Sequence, residues 1–106
     1  MTNEERVKYW IDLSDRDIAA ADWVFKGGHN LYMGYLCHQA VEKILKGYFT
    51  KINEDTPPFT HNLIDLAEKT CLYDLMNDRQ KAFISSLNPL NIEARYPDYK
   101  SNLAKT

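Results

Sequence analysis

An all-α fold, an up-and-down antiparallel bundle of four to five helices, is expected from three features of this 106-residue chain. Long stretches carry apolar residues at three- and four-residue spacing, the period of an amphipathic helix. Residues suited to starting and stopping helices punctuate those stretches. Nowhere do apolar and polar residues alternate over a convincing length, and the turn signals lie too far apart for hairpins, so no strand competes. At 44% hydrophobic content the chain can build one core but not two. It reads as a single domain over residues 1–106, with a core of about residues 4–99 and a polar tail at 100–106. There is no internal repeat, low-complexity tract or linker.

The first helix starts at Thr2, because Thr2-Asn3-Glu4-Glu5 has the spacing of a capping box. Val7, Trp10, Ile11, Ile18, Ala21, Trp23, Val24 and Phe25 keep mostly to one side of it, with Asp12, Asp15, Arg16 and Asp17 on the other. Gly27-Gly28 supplies a left-handed stop after about two dozen residues. The second helix runs from about Leu31 to Ile52 and ends before Asn53-Glu54-Asp55-Thr56-Pro57-Pro58, whose tandem prolines lack backbone donors. Met33, Leu36, Cys37, Ala40, Val41, Ile44, Leu45 and Tyr48 form its apolar stripe. His38, Gln39, Glu42, Lys43 and Lys46 gather opposite, so it is expected to be a surface helix with a chemically loaded outer face. Thr60 is the expected cap of a third helix carrying Leu63, Ile64, Ala67 and Cys71 on one side. Asn77, with Gln80 three residues on, is the expected cap of a fourth. Asn88-Pro89 should kink or restart that helix, and Tyr96-Pro97 should end it.

Net charge is −2 with acids and bases interleaved, which excludes the broad basic surface of a non-specific nucleic-acid binder. Any polyanion contact must be local. Cys37 and Cys71 lie in apolar helical patterns without metal-ligand spacing, and both are expected to be reduced core thiols. The charged start, MTNEERVKYW, lacks the apolar run of a signal peptide, and no stretch reaches the roughly 18 apolar residues of a membrane span. The expected setting is cytoplasmic, with no membrane contact. No histidine pair has HExxH or other zinc spacing, no Gly-rich phosphate loop exists, and no nucleophile stands beside a base, so neither a metal nor a cofactor is expected.

Three segments stand in one order: His38-Gln39-Ala40-Val41-Glu42-Lys43-Ile44-Leu45-Lys46, then Thr60-His61-Asn62-Leu63, then Ala94-Arg95-Tyr96-Pro97-Asp98. Together they resemble the HEPN domain family, whose pattern can be written as a QAxEKxxK helix, a Thr-His-x-Leu helix start and an Arg-Tyr-Pro-Asp end to the fourth helix. The resemblance covers about residues 4–99. It implies an antiparallel helical bundle, commonly homodimeric, tied to nucleotide binding, to RNA cleavage or to a separately encoded minimal nucleotidyltransferase, as in a defence or toxin–antitoxin pair. Two departures qualify what it implies. The nuclease branch carries an Arg-x(4–6)-His motif, and counting from Arg95 that histidine falls where the chain has Lys100, Ser101 and Asn102. Arg6, Arg16 and Arg79 have no histidine at that spacing either, so no catalytic residue is assigned, and an RNase would need His61 or His38 as its acid/base. The chain given also stops soon after RYPDYK, where family members usually continue into another packed helix.

The expected site is a polar groove of Gln39, Lys43, His61, Arg95 and Tyr96 for a nucleotide or RNA; the competing readings are an RNase with a non-standard site and a structural protein-interaction module without ligand. Gln39 has a choice between a base edge and a neighbouring backbone. Lys43 has one between ligand and solvated ion pair, and Glu42 with Lys46 is a favourable i, i+4 pair expected in solvent. His61 follows Thr60 at a helix start, where amide donors can hold an anion, and the competing role is a hydrogen bond within the turn. Arg95 beside Tyr96 offers a forked phosphate donor next to a stacking ring; equally, it can pin the fourth helix to Asp98 or to an acid of the first.

Overall fold

Helices α1 (Asn3–Lys26) and α2 (Asn30–Asn53), each of 24 residues, form an antiparallel hairpin that carries the rest of the fold. The structure, a computed structural model, describes residues 1–93, with side chains to Asn91. Three short helices, α3 (Leu63–Lys69), α4 (Asp78–Leu87) and α5 (Leu90–Glu93), pack on the side of α2 away from α1, with a 3-10 turn at Tyr73–Leu75 between α3 and α4. Among the described residues there is no strand, and no helix is long and apolar enough to cross a membrane. The expected end of the fourth helix at Tyr96-Pro97 lies outside the described residues.

The helix ends follow local chemistry. At the start of α1 the Glu5 amide donates to Thr2 Oγ1 and the Thr2 amide donates to Glu5 Oε1, each at 3.1 Å, completing the capping box. Those same bonds to Thr2 hold the Glu5 carboxyl below its usual range. At the other end Gly28 takes φ 81°, and the amides of Gly28 and His29 donate back to Phe25 and Val24 at 2.9 Å, the paired bonds of a Schellman stop. Asn77 and Gln80 close a second capping box at α4, and the chain breaks at Asn88-Pro89 before restarting as α5. The third helix starts two residues later than expected. Its cap is Asn62, whose Oδ1 accepts from the Ile64 and Asp65 amides. Thr60 Oγ1 instead accepts from the Asn62 amide, shaping the turn before the cap.

The hairpin seam runs along Val7, Trp10, Ser14, Asp17, Ala21 and Val24, spaced alternately by three and four. Contacts across it fix the antiparallel register: Asn3 Nδ2 donates to the Thr50 carbonyl, Ser14 Oγ to that of Ala40, and Lys43 pairs with Asp17. This phase differs from the expected apolar stripe of α1. Ser14 and Ala21 are buried, whereas Ile11, Ile18 and Phe25 flank the seam and Trp23 lies well off it, all four exposed. Gly47 lets the helices approach, since a Cβ there would lie 3.0 Å from Trp10 Cβ. Gly47→Ala gains about 1 kcal/mol of helix propensity. Against it stands an overpacking cost of about 1–3 kcal/mol, because Trp10 Cβ is fixed to the α1 backbone and cannot rotate away. The expected result is a net loss of about 1 kcal/mol in urea unfolding; a variant more stable than wild type would show that the seam yields freely.

Helix α2 is not a surface helix. It lies between α1 and the three short helices, and its polar side turns inward: His38 is fully buried, Glu42 is 4% exposed and Lys46 7%. Ile44 and Tyr48, expected in the core, are exposed instead. Leu63, Ala67, Ile84 and Leu87 form the main core, with Val41 and Leu90 packed against them. Of the two cysteines, Cys37 is half-buried against this core and burial raises its thiol pKa, but Cys71 is exposed, in a left-handed turn after α3.

Candidate functional site

The inward polar side of α2 meets the start of α3 and the break between α4 and α5. Glu42 is central. Its Oε1 accepts from His61 Nδ1 at 2.8 Å and its Oε2 accepts from Lys46 Nζ at 3.1 Å. The Lys46 ammonium also lies over the Trp10 ring, 5.9 Å from its centroid. Burying a carboxylate is tolerable only with such partners, and here it has two cationic or N–H donors, one per oxygen. The expected solvated Glu42–Lys46 pair is therefore an interior one, because α2 is covered on this side by the segment entering α3.

His38 and Gln39 brace the same junction. His38 Nε2 donates to the His61 carbonyl at 2.9 Å, which leaves Nδ1 to accept from Gln39 Nε2 at 3.4 Å; that atom is 3.9 Å from Glu42, beyond hydrogen-bond range. Gln39 Nε2 also donates to Asn91 Oδ1 at 3.0 Å. His61 is thus held twice by α2, through its carbonyl by His38 and through its ring by Glu42. Its side chain remains 53% exposed, with Nδ1–H committed to the carboxylate and Nε2 left for a ligand. Beside it opens a cleft of about 290 Å³ lined by His61, Asn62, Asn88, Pro89 and Asn91. Two larger grooves open elsewhere: one, lined by His29, Asn30, Met33, Phe83 and Leu90, mixes polar and apolar walls, and one around Leu75, Arg79 and Phe83 is mainly apolar.

Of the expected groove, the structure brings Gln39 and His61 together. Lys43 is engaged elsewhere, with Asp17 on the α1 seam, both side chains largely buried. Arg95 and Tyr96 lie outside the described residues. The amide donors expected to hold an anion at the start of α3 are already taken: Asn62 Oδ1 accepts from Ile64 and Asp65, and Asn88 Oδ1 accepts from Leu63 at 2.8 Å. His38 has no exposed surface with which to meet a ligand, and His29 is exposed in the α1–α2 turn, away from the cleft. Among the described residues no three His, Cys, Asp or Glu side chains gather as a metal set.

Sequence reasoning missed Asn62, Asn88 and Asn91 as site residues and read Glu42 as solvated. The available signal was the asparagine density of Asn88-Pro89-Leu90-Asn91, where two amides flank a helix break three residues apart. The HEPN domain family model matches residues 7–106. No curated protein and no solved structure matches the chain.

Proposed function

The chain belongs to the HEPN domain family, and on that premise we propose that it is a nucleotide- or RNA-binding module whose ligand site is the cleft beside His61. Family membership supports a nucleotide- or RNA-related role at the coarse level. The observation that carries the finer placement is the Glu42–His61 pair. A buried carboxylate holds the ring beside a cleft lined also by Asn62, Asn88, Pro89 and Asn91, a mixture suited to a nucleotide. Gln39 acts through Asn91 as a support of that wall, and Arg95 with Tyr96 are retained as proposed contacts to phosphate and base.

Thermal unfolding with a panel of nucleotides and a short RNA tests this. Ligand at 100 times its dissociation constant adds about 2.7 kcal/mol to the folded state, a rise of several degrees for a chain of this size. Wild type should rise, and His61→Ala and Arg95→Ala should rise less. Full ligand response in His61→Ala and Gln39→Ala would remove the cleft from consideration.

The same pair favours a second reading, an RNase with a non-standard site. A carboxylate-oriented imidazole is the arrangement a general base needs, and His61, unlike His38, reaches solvent. Cleavage of RNA that disappears in His61→Ala would select it. The proposed setting is a homodimer working with a separately encoded nucleotidyltransferase in a toxin–antitoxin or defence pair. Exposed Ile11 and Ile18 of α1, and Ile44 and Tyr48 of α2, supply apolar surface for such contacts.

A further inference from the structure

Resting on the binding reading above, we infer that the cleft beside His61 takes the nucleoside part of a ligand, its base edge and ribose hydroxyls, and leaves phosphate outside. The inference follows from which polar atoms the fold has already used. Asn62 Oδ1 accepts from the Ile64 and Asp65 amides and from Asn88 Nδ2. Asn88 Oδ1 accepts from the Leu63 amide, and Asn91 Oδ1 from Gln39. Among the described residues the three amide oxygens lining the cleft are therefore engaged within the protein, while each amide nitrogen keeps at least one N–H beyond these bonds. His61 contributes the complementary atom, because Nδ1–H donates to Glu42 and the neutral ring then leaves Nε2 as an acceptor. Such a lining is matched by a ligand that presents acceptors to the amides and a donor to the ring, as a base edge or a ribose does, whereas an ionised phosphate ester supplies acceptors alone.

Charge points the same way. Among the described residues no lysine or arginine lines the cleft. Lys43 is committed to Asp17 and Lys46 to Glu42. Behind His61 the Glu42 carboxylate is neutralised by Lys46 at 3.1 Å, so this buried pair gives the cleft no net positive charge with which to hold a phosphate. The amides at the start of α3, the other source of phosphate donors, are capped. A volume of about 290 Å³ suits a base with part of its sugar rather than a whole dinucleotide. Pro89 adds apolar wall against which a base can lie.

The test is an NMR titration of the full chain with adenosine, guanosine, cytidine and uridine, with their 5′-monophosphates, and with inorganic phosphate. It follows the His61 ring nitrogens and the side-chain amides of Asn62, Asn88 and Asn91. At least one nucleoside should shift these signals, its monophosphate should shift the same ones, and inorganic phosphate should neither shift them nor displace the nucleoside. Inorganic phosphate competing at these signals, or monophosphates binding where no nucleoside does, would overturn the inference while leaving nucleotide binding intact. Absence of binding by any nucleoside or nucleotide would overturn both. Wild-type shifts carry the decision, so it does not depend on a variant folding; His61→Gln serves as a second measurement and should weaken the nucleoside.

Discussion

Glu42→Ala should unfold at a temperature at least about 12 °C below wild type. The carboxylate is 4% exposed and neutralises Lys46, itself 7% exposed, at 3.1 Å. Removing it strands an ammonium in the interior, a change that costs about 3–5 kcal/mol when one partner of a buried pair is deleted. For a domain near this size each kcal/mol is worth about 4–8 °C. The Trp10 ring gives Lys46 only partial compensation at 5.9 Å. His61 loses its ring partner as well, but being half-exposed it can turn to solvent at little cost. The double variant Glu42→Leu with Lys46→Met separates the pair's net worth from the penalty of stranding one charge, since replacing both ions with apolar groups is often neutral or stabilising. It should recover most of the lost stability without recovering ligand binding, because the ring of His61 is then unoriented. A Glu42→Ala variant within about 1 kcal/mol of wild type would show that Lys46 reaches water in solution.

The difference between what could and could not be read from the chain follows from the range of the forces involved. Thr2 with Glu5, Gly27-Gly28, and Asn77 with Gln80 act within one helical turn, and each ended or began a helix where its chemistry said it would. The misplaced start of α3 had a cause outside the local pattern: Thr60 and Asn62 are both good caps, and Asn62 is the one supported by Asn88, from the α4–α5 break, which donates to Asn62 Oδ1 while its own Oδ1 receives the Leu63 amide. That support is 25 residues distant in sequence and invisible to a local pattern. The orientation of α2 failed for a different reason. A helical wheel separates polar from apolar sides, but it assigns them to water and core only when a helix has one packed face. Helix α2 packs on two, and His38, Glu42 and Lys46 can be interior because they, with His61, largely satisfy one another. The same feature hid the cleft: its walls are asparagines that looked like caps and turn residues, and they are those as well.

Leu63→Ala carries the second large effect and joins stability to the site. Leu63 is fully buried and forms the core cluster with Ala67, Ile84 and Leu87, packed by Val41 of α2 and Leu90 of α5. Truncation removes three carbons at the one place where α2, α3, α4 and α5 converge. Such a position collapses poorly, because its neighbours are held by separate backbones. The expected loss is about 2–5 kcal/mol, seen as a lower denaturant midpoint with an unchanged m-value. Leu75→Ala is the matched control: the same atoms are removed from a side chain that is 80% exposed, and the change should stay within about 0.5 kcal/mol. The consequence reaches the cleft because the Leu63 amide is held by Asn88 and because His61 is only two residues earlier. A cavity beneath α3 loosens the Asn62–Asn88 bonds that shape the cleft wall, so Leu63→Ala, measured at a temperature where it remains folded, should bind nucleotide more weakly, whereas Leu75→Ala should bind as wild type does. Equal destabilisation by the two leucine variants would mean that α3 is not anchored through this core, and the cleft built on its first residues would lose its foundation.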